Sequence, residues 1–288
     1  MQGKRRASVN RPASISAAIF GCNTYSYMRS RGAEDCLVHL AAMGFAEFEL
    51  MVHPGHLWPA DLASEQRRGI RRLIEARGLR LVTLNMPNID INVAGAAPEM
   101  RAYSLNLLTA TVQLAGDLGA SGVVIGPGKA NPLFPADASE LSGHFFAALD
   151  RLCPIAEAAG TALWVENMPF AFLPAIGELM DALETYGNAA LRVVYDVANA
   201  HFIGEDFATG LVRCRDRLAL VHLSDTGQRT FRHDPVGEGT VPFAAVPRAL
   251  AAVGYNARPM LEIISRNPDR DIIASAEKLA NMGFPAAG

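Results

Sequence analysis

Four residues with metal-binding side chains stand at the ends of four short apolar segments. They are Glu166, Asp196, His222 and Glu262, which close the segments ALWVE, RVVYD, LALVH and PMLE. Two glutamates, an aspartate and an imidazole suit Mn²⁺, Co²⁺, Mg²⁺ or Zn²⁺. Because each residue ends an apolar run in the same way, we interpret the four as ligands of one divalent metal ion.

Further polar residues lie where other apolar segments end or in the segments that follow them. An arginine there can clamp an anionic or hydroxylated ligand, and amides and imidazoles can bind hydroxyl groups. We therefore predict that five residues contact a substrate: Glu49, Asn85, Asn199, Arg229 and His233. His201, five residues after Asp196, is a candidate for catalysis.

Short apolar segments alternate with longer segments of helical period along the chain. The predicted strands are 17–22, 46–50, 80–84, 122–125, 162–165, 192–195, 219–222 and 259–263, and the clearest predicted helices are 62–76, 98–118, 138–159, 176–186 and 243–253. Glycines stand at many helix-to-strand junctions, where they commonly end helices. Eight strands alternating with helices predict the α/β class and a single (β/α)8 TIM barrel, whose chemistry sits at the carboxyl ends of its strands.

Signatures of other enzyme classes are absent. A doubly wound sheet that binds a dinucleotide would carry a glycine fingerprint after its first strand, and residues 23–27 read NTYSY instead. The segment before Lys129 lacks the first glycine of a phosphate-binding loop, and Ala130 replaces its Ser or Thr. No G-x-S-x-G motif supports acyl transfer. These absences favour chemistry carried by the strand-end residues.

The composition of the chain argues against several further classes of protein. The 288 residues include 26 basic and 29 acidic side chains, a formal charge of −3, which argues against nonspecific binding to nucleic acid. Four scattered cysteines form no C-x-x-C pair, which excludes a zinc ribbon and is typical of a reducing compartment. No apolar run reaches the roughly 18 residues of a membrane span.

The basic start of the chain differs from the rest. We interpret residues 1–14 as a flexible basic leader and residues 15–288 as the barrel. The apolar piece that follows the leader is short and lacks a clear cleavage site of small residues, so a secretory signal is not predicted. The expected location is the cytoplasm.

Several motifs together resemble a known family. They are VEN at Glu166, YDVANAH at Asp196, VHLSD at His222, HDPVGEGTVPF at His233 and LEI at Glu262. These segments resemble the xylose-isomerase-like TIM-barrel superfamily, also called AP endonuclease family 2. Its members include sugar phosphate isomerases and epimerases, inosose and dehydroshikimate dehydratases, and endonuclease IV. The resemblance runs over most of the chain. Its motifs are fairly specific for the superfamily and poorly specific for any one activity within it.

In the epimerase branch, the resemblance implies that the four predicted ligands hold one divalent metal ion. It also implies that Glu166 and Glu262 act as acid and base on the two faces of the substrate. The expected substrate is a small sugar or keto-polyol, phosphorylated or not. The expected reaction is isomerisation or epimerisation, by proton abstraction next to a carbonyl through a metal-stabilised enediolate. A homo-oligomer is implied as well, with no nucleic-acid or membrane partner.

Three other functions stay open. A dehydratase-like lyase would use the same enolate, with His201 or His233 protonating the leaving oxygen. A noncatalytic sugar-binding barrel would have lost turnover. An endonuclease IV-like nuclease is disfavoured, because Gly126, Asn199 and Phe231 stand where the resemblance expects additional metal ligands.

Overall fold

Eight parallel strands close into a barrel in this computed structural model, which describes residues 15–87 and 90–284. The strands are β1 (Gly21–Asn23), β2 (Glu47–Met51), β3 (Arg80–Asn85), β4 (Gly122–Ile125), β5 (Ala162–Glu166), β6 (Arg192–Asp196), β7 (Leu218–Leu223) and β8 (Met260–Leu261). Each pairs with its neighbours in chain order, and β1 pairs with β8 to complete the ring. The predicted leader, residues 1–14, lies outside the described residues.

Helices connect successive strands around the outside of the barrel. They are α1 (Ala33–Ala42), α2 (Ser64–Ala76), α3 (Pro98–Leu118), α4 (Ala138–Ala159), α5 (Ile176–Tyr186), α6 (Val197–Phe202), α7 (Phe207–Cys214), α8 (Val246–Ala252) and α9 (Pro268–Asn281). Both α6 and α7 follow β6, whereas the other strands are each followed by one of these helices. This order confirms the predicted single (β/α)8 barrel.

The first predicted strand, 17–22, is wrong in its position. Residues Ile15–Ile19 form a 3-10 helix that packs against α9, and the strand begins only at Gly21. Ala17 and Phe20, three positions apart, are both fully buried. A spacing of three matches one turn of a 3-10 helix, and a short apolar run does not distinguish that geometry from a strand.

The barrel interior contains a layer of apolar side chains below the carboxyl ends of the strands. The layer is built from Val82, Val124, Trp164, Val194, Leu220 and Met260. Side chains alternate between the two faces of a strand, so the residue two positions further along each strand points inward again, one layer higher. On β5 to β8 those next inward positions are Glu166, Asp196, His222 and Glu262. The apolar layer therefore supports the four predicted metal ligands.

A register shift in β3 changes this alternation on one side of the barrel. Phe48 pairs with Leu81, but the next residue of β2, Glu49, pairs with Thr83. The extra residue, Val82, packs in the inner apolar layer, while Thr83 also faces inward and donates a hydrogen bond to Glu49. A bulge of this kind re-aims the side chains that follow it. It brings both Thr83 and Asn85 against the Glu49 carboxylate.

The two longest described helices, α3 and α4, pack against each other. Each ends at a glycine in the left-handed conformation, Gly119 with φ of 77° and Gly160 with φ of 70°. Glycine adopts this conformation without steric cost, which lets the chain turn directly into the next strand. Neither of these helices, nor any other in the described ranges, combines the length and the apolar character that a bilayer span requires.

Gly122 offers a test of the inner layer. A Cβ at this position would overlap the indole ring of Trp164, which lies over the glycine inside the barrel. We expect Gly122→Ala to lower the free energy of unfolding by about 1–3 kcal/mol, because the rigid ring has to shift within a packed layer. Urea titration followed by circular dichroism measures the change.

Gly143→Ala is the matched control, since Gly143 lies on the exposed side of α4 with no atom near its Cβ position. Alanine there should be neutral or stabilising by about 0.5–1 kcal/mol, through its higher helix propensity. Equal stability of the two variants would contradict the packing role of Gly122.

Candidate active site

Three carboxylates and one imidazole meet at the carboxyl ends of β5 to β8. One ligand atom from each of Glu166, Asp196, His222 and Glu262 lies within 4.8 Å of the other three. All four side chains are buried. We call these four residues the EDHE cluster. The structure thus brings together the residues that the sequence predicts as metal ligands.

The imidazole of His222 lies between the carboxylates of the EDHE cluster. Its Nδ1 atom is 3.3 Å from Glu166 Oε1, 3.2 Å from Glu262 Oε2 and 3.8 Å from Asp196 Oδ2. Burial is the main cause that raises the pKa of Glu166 and of Glu262 to about 7 and the pKa of Asp196 to about 6. Buried carboxylates this close repel one another unless a proton or a cation lies between them.

The donor atoms of the EDHE cluster fit a divalent cation. Asp196 Oδ2 is a buried oxygen without a hydrogen-bond partner, while Asp196 Oδ1 accepts a hydrogen bond of 2.7 Å from the backbone N–H of Asn199. An unpartnered buried carboxylate oxygen is costly, and coordination to a cation removes that cost. Carboxylate oxygens with one imidazole nitrogen are ligands that Mn²⁺, Co²⁺, Mg²⁺ and Zn²⁺ accept. The cluster can therefore hold a metal ion.

Glu49 lies on the far side of His222 from the cluster and is fully buried. Its carboxylate accepts hydrogen bonds from Asn23 Nδ2, from Thr83 Oγ1 at 2.6 Å and from Asn85 Nδ2 at 3.1 Å. Burial alone would raise the pKa of Glu49, but the nearby His222 and these hydrogen bonds outweigh it and lower the pKa.

The remaining nitrogen of His222 faces this carboxylate. Nε2 is 3.3 Å from Glu49 Oε1, outside hydrogen-bonding geometry. A carboxylate on this side favours the proton on Nε2, which leaves Nδ1 free to bind a cation. Glu49 therefore lies beside the imidazole on the side away from the cluster, and it does not line the cavity described next.

A cavity of about 370 Å³ opens above the EDHE cluster. Among the residues predicted to contact substrate, Asn85, Asn199 and His233 line it, as do the predicted acid–base residues Glu166 and Glu262. The structure does not bring the other predicted residues to this cavity. Arg229 is exposed on the loop after β7, and His201 Nε2 instead lies 2.8 Å from Thr240 Oγ1.

Two asparagines of the site are absent from the sequence prediction. The side-chain amide of Asn167 makes two hydrogen bonds with the backbone of Asp196. Oδ1 accepts from the Asp196 N–H at 2.7 Å, and Nδ2 donates to the Asp196 carbonyl at 3.1 Å. Asn23 donates to Glu49 and, at 3.2 Å, to Glu262 Oε1. Asn23 is the last residue of β1, and Asn167 directly follows the last residue of β5. A position at the end of a strand is the same sequence signal that identifies the other site residues.

Most of the cavity wall is apolar and was not predicted. Met51, Met168, Phe170, Phe231 and Ile264 are among its lining residues. Apolar residues in connecting loops have no pattern in the sequence that distinguishes a cavity wall from ordinary packing.

Residues 37–282 match the family described as "Xylose isomerase-like TIM barrel". One curated relative is the L-ribulose-5-phosphate 3-epimerase UlaE of Shigella boydii serotype 18. It is 23% identical over 210 residues, which cover 73% of this chain and 73% of that protein.

Solved structures share the fold. The structure of a D-tagatose 3-epimerase-like protein matches with a TM-score of 0.78 at 21% identity, over 91% of this chain and 96% of that chain. The structure of IOLI protein with a binding zinc atom matches with a TM-score of 0.75 at 15% identity, over 91% of this chain and 95% of that chain.

The raised carboxyl pKa values predict a pH dependence in the metal-free protein. Between the ordinary glutamate value of 4.5 and about 7, folded Glu166 binds more protons than unfolded Glu166. Its contribution to the free energy of unfolding is therefore present below pH 4.5 and is lost as the pH rises through 7. Relative to wild type, Glu166→Gln should gain on the order of 2–3 kcal/mol of stability between pH 5 and pH 8.

Urea titrations in chelator at both pH values measure this relative gain. Histidines with lowered pKa values, such as His56 and His233, act in the opposite direction, and the comparison with the variant removes their contribution. Glu157→Gln, on the exposed side of α4, is the matched control and should show no such gain. A stability difference that is independent of pH for Glu166→Gln would contradict the crowding of carboxylates.

Proposed function

The chain belongs to the xylose isomerase-like TIM barrel family, and we propose that it is a divalent-metal-dependent isomerase or epimerase of a small sugar or keto-polyol. One observation carries this function: the EDHE cluster lies at the floor of a cavity, and two of its glutamates, Glu166 and Glu262, line that cavity. A metal site flanked by two carboxylates can support proton transfer next to a carbonyl.

Glu166, Asp196, His222 and Glu262 would hold the metal ion, which is Mn²⁺, Co²⁺, Mg²⁺ or Zn²⁺. When bound, such an ion polarises a substrate carbonyl and lowers the pKa of the neighbouring C–H. The unpartnered Asp196 Oδ2 atom and the Nδ1 atom of His222 supply ligand positions. IOLI protein, which shares the fold, binds zinc.

Glu166 and Glu262 are the proposed acid–base pair. Glu166 ends β5 and Glu262 directly follows β8. Because β6 and β7 separate these two strands around the barrel, the two carboxylates approach a substrate from different directions. One removes the proton next to the carbonyl and the other returns a proton. Return to the opposite face of the same carbon gives an epimer, and return to the neighbouring carbon gives an aldose–ketose isomer.

Asparagines hold this pair in place. Asn23 Nδ2 donates to Glu262 Oε1 at 3.2 Å, and Asn199 Nδ2 lies 3.4 Å from Glu166 Oε1. Each contact leaves the second carboxylate oxygen of the glutamate for a metal ion or a substrate proton. Fixed carboxylate orientation is a condition for efficient proton transfer.

A lyase is the second candidate, because His233 also lines the cavity. Its Nδ1 atom is 2.9 Å from Ser224 Oγ and 3.5 Å from Glu262 Oε2. An imidazole at this place can protonate a departing hydroxyl group after the same C–H bond is broken. A product that absorbs in the ultraviolet through a new carbon–carbon double bond would distinguish dehydration from isomerisation.

The nuclease alternative has less support. Gly126, Asn199 and Phe231, at the positions where the resemblance expects additional ligands, line the cavity without offering a carboxylate or an imidazole. Within the described residues, the EDHE cluster is the one group of three or more such ligands that lies close enough to hold an ion.

Metal content tests the site directly. After incubation with Mn²⁺ and desalting, the wild-type protein should retain about one ion per chain, and His222→Ala should retain far less, because it removes one of four ligands. Inductively coupled plasma mass spectrometry gives the ratio. His144→Ala, a half-buried histidine of α4, is the control and should retain the ion.

A ratio near three for zinc would favour the nuclease. Absence of metal from the reconstituted wild type would contradict metal dependence.

Replacing the acid–base pair tests the chemistry. In D₂O, the metal-loaded protein should incorporate deuterium next to the carbonyl of a ketose such as D-tagatose, observed by proton NMR. Glu166→Gln and Glu262→Gln should each lower this rate by at least about 10²-fold, because each removes a proton-transfer group.

Circular dichroism should show an intact barrel in both variants, and Glu157→Gln should exchange at the wild-type rate. Rates near wild type in Glu166→Gln and Glu262→Gln would overturn the assignment of the pair. A wild-type protein that binds sugar without any exchange would favour the noncatalytic barrel.

A further inference from the structure

The cavity above the EDHE cluster is polar at its floor and apolar along its walls. Glu166, Glu262 and His233 supply the floor. The other lining residues are mainly apolar and include Met51, Ile91, Met168, Phe170, Phe231 and Ile264, although Tyr25, Asn85, Asn92, Lys129 and Asn199 also line the cavity. A ligand that fills the cavity therefore meets two carboxylates and an imidazole at the floor and mainly apolar side chains elsewhere.

Three phenylalanines and a histidine pack together at one wall. Phe231 lies edge-to-face against Phe170, with centroids 5.3 Å apart and planes at 89°, and also against His233 at 5.1 Å. Phe202 packs behind both phenylalanines, at 5.8 Å from Phe170 and 5.3 Å from Phe231. Phe170 nevertheless keeps 61% of its surface exposed. Packed aromatic rings with one exposed member form a ready contact surface for an apolar group.

Asn92, one of three asparagines that line the cavity, already has hydrogen-bond partners for its side-chain amide. Asn92 Nδ2 donates to the carbonyl of Lys129, and Asn92 Oδ1 accepts from the backbone N–H groups of Ala94 and Lys129, at 2.8–3.0 Å. It holds two loops together and has little capacity left for sugar hydroxyls. A free sugar carries a hydroxyl on nearly every carbon, and each one that leaves water without a partner weakens binding.

A phosphate group also finds few partners in this cavity. Lys129 is the one lysine or arginine among the cavity-lining residues of the described chain, and Arg229 lies outside the lining. Tight phosphate recognition typically uses several charge-assisted hydrogen bonds, often from arginine. The cavity therefore lacks the several basic side chains that recognition of a sugar phosphate would typically use. A sugar phosphate is the substrate named for the relative UlaE.

We propose that the substrate is a keto-sugar or keto-polyol that carries an apolar, aromatic substituent. Its polyol end lies on the floor over the EDHE cluster, and its substituent packs against Phe170, Phe231 and Ile264. This substrate class refers to the reaction proposed above and depends on it.

Binding of matched glucosides tests the substituent site. Phenyl β-D-glucopyranoside and methyl β-D-glucopyranoside differ only in the aglycone, and neither carries a carbonyl to react. By ligand-observed NMR titration, the Mn²⁺-loaded protein should bind the phenyl glucoside at least about tenfold more tightly, because the ring buries apolar surface. Cellobiose and glucose 6-phosphate are titrated alongside, as ligands with a sugar and a phosphate in place of the ring.

Two phenylalanine variants test which residue causes the preference for the phenyl glucoside. Phe170→Ala removes the exposed ring of the wall and should reduce the phenyl-to-methyl affinity ratio to below about threefold. Phe134→Ala removes a phenylalanine that is 87% exposed and does not line the cavity, so the ratio should stay at the wild-type value. Equal affinities for the two glucosides, tighter binding of cellobiose or glucose 6-phosphate, or an equal loss in both variants would each overturn the inference.

A second measurement separates this inference from the proposed reaction. Methyl and phenyl 3-keto-β-D-glucopyranoside are incubated with the metal-loaded protein in D₂O, and deuterium uptake next to the carbonyl is followed by NMR. The phenyl compound should exchange with the higher kcat/KM. No uptake from either compound, together with a clear phenyl preference in binding, would contradict the reaction while supporting the apolar site. Uptake from both at equal kcat/KM would contradict the apolar site while supporting the reaction.

Discussion

Repulsion among buried carboxylates is the constraint on which this structure depends. Glu166, Asp196 and Glu262 approach one imidazole within 4 Å at buried positions. In such surroundings like charges interact far more strongly than in bulk water, so the folded chain must supply compensation. It does so with fixed donors such as Asn23, and it leaves one oxygen, Asp196 Oδ2, without a partner. A cation at the cluster would complete the compensation.

The barrel holds the carboxylates close together because they stand on a packed layer of apolar side chains. Trp164 and its neighbours fill the interior one layer below, so the ligands cannot relax downward. The indole ring of Trp164 packs directly over Gly122, and any side chain at Gly122 would overlap that ring. On the other side of His222, Glu49 is itself held by Thr83 and other donors. The geometry of the cluster is therefore set by packing and by hydrogen bonds that exist before any ligand binds.

The floor and the walls of the cavity differ in the groups that they offer to a ligand. The polar floor offers groups that can hold a metal ion and transfer protons, whereas the walls, with Phe170 and Phe231, offer mainly apolar contact. One relative is described as an L-ribulose-5-phosphate 3-epimerase, and one solved structure of the same fold is described as D-tagatose 3-epimerase-like. In barrels of this kind the strand ends carry the reaction and the loops that follow them vary, which allows one set of ligands to serve many substrates.

The sequence by itself determined the barrel and the EDHE cluster. Each ligand ends an apolar strand, and because strand side chains alternate and parallel strands end at one face, four such endings must meet. Only the tertiary structure decided which other polar residues reach the cavity. Asn85 lines it, Glu49 lies beneath it, and Arg229 and His201 lie away from it. Their depth and direction depend on a strand bulge and on loop packing, which arise from contacts between distant parts of the chain.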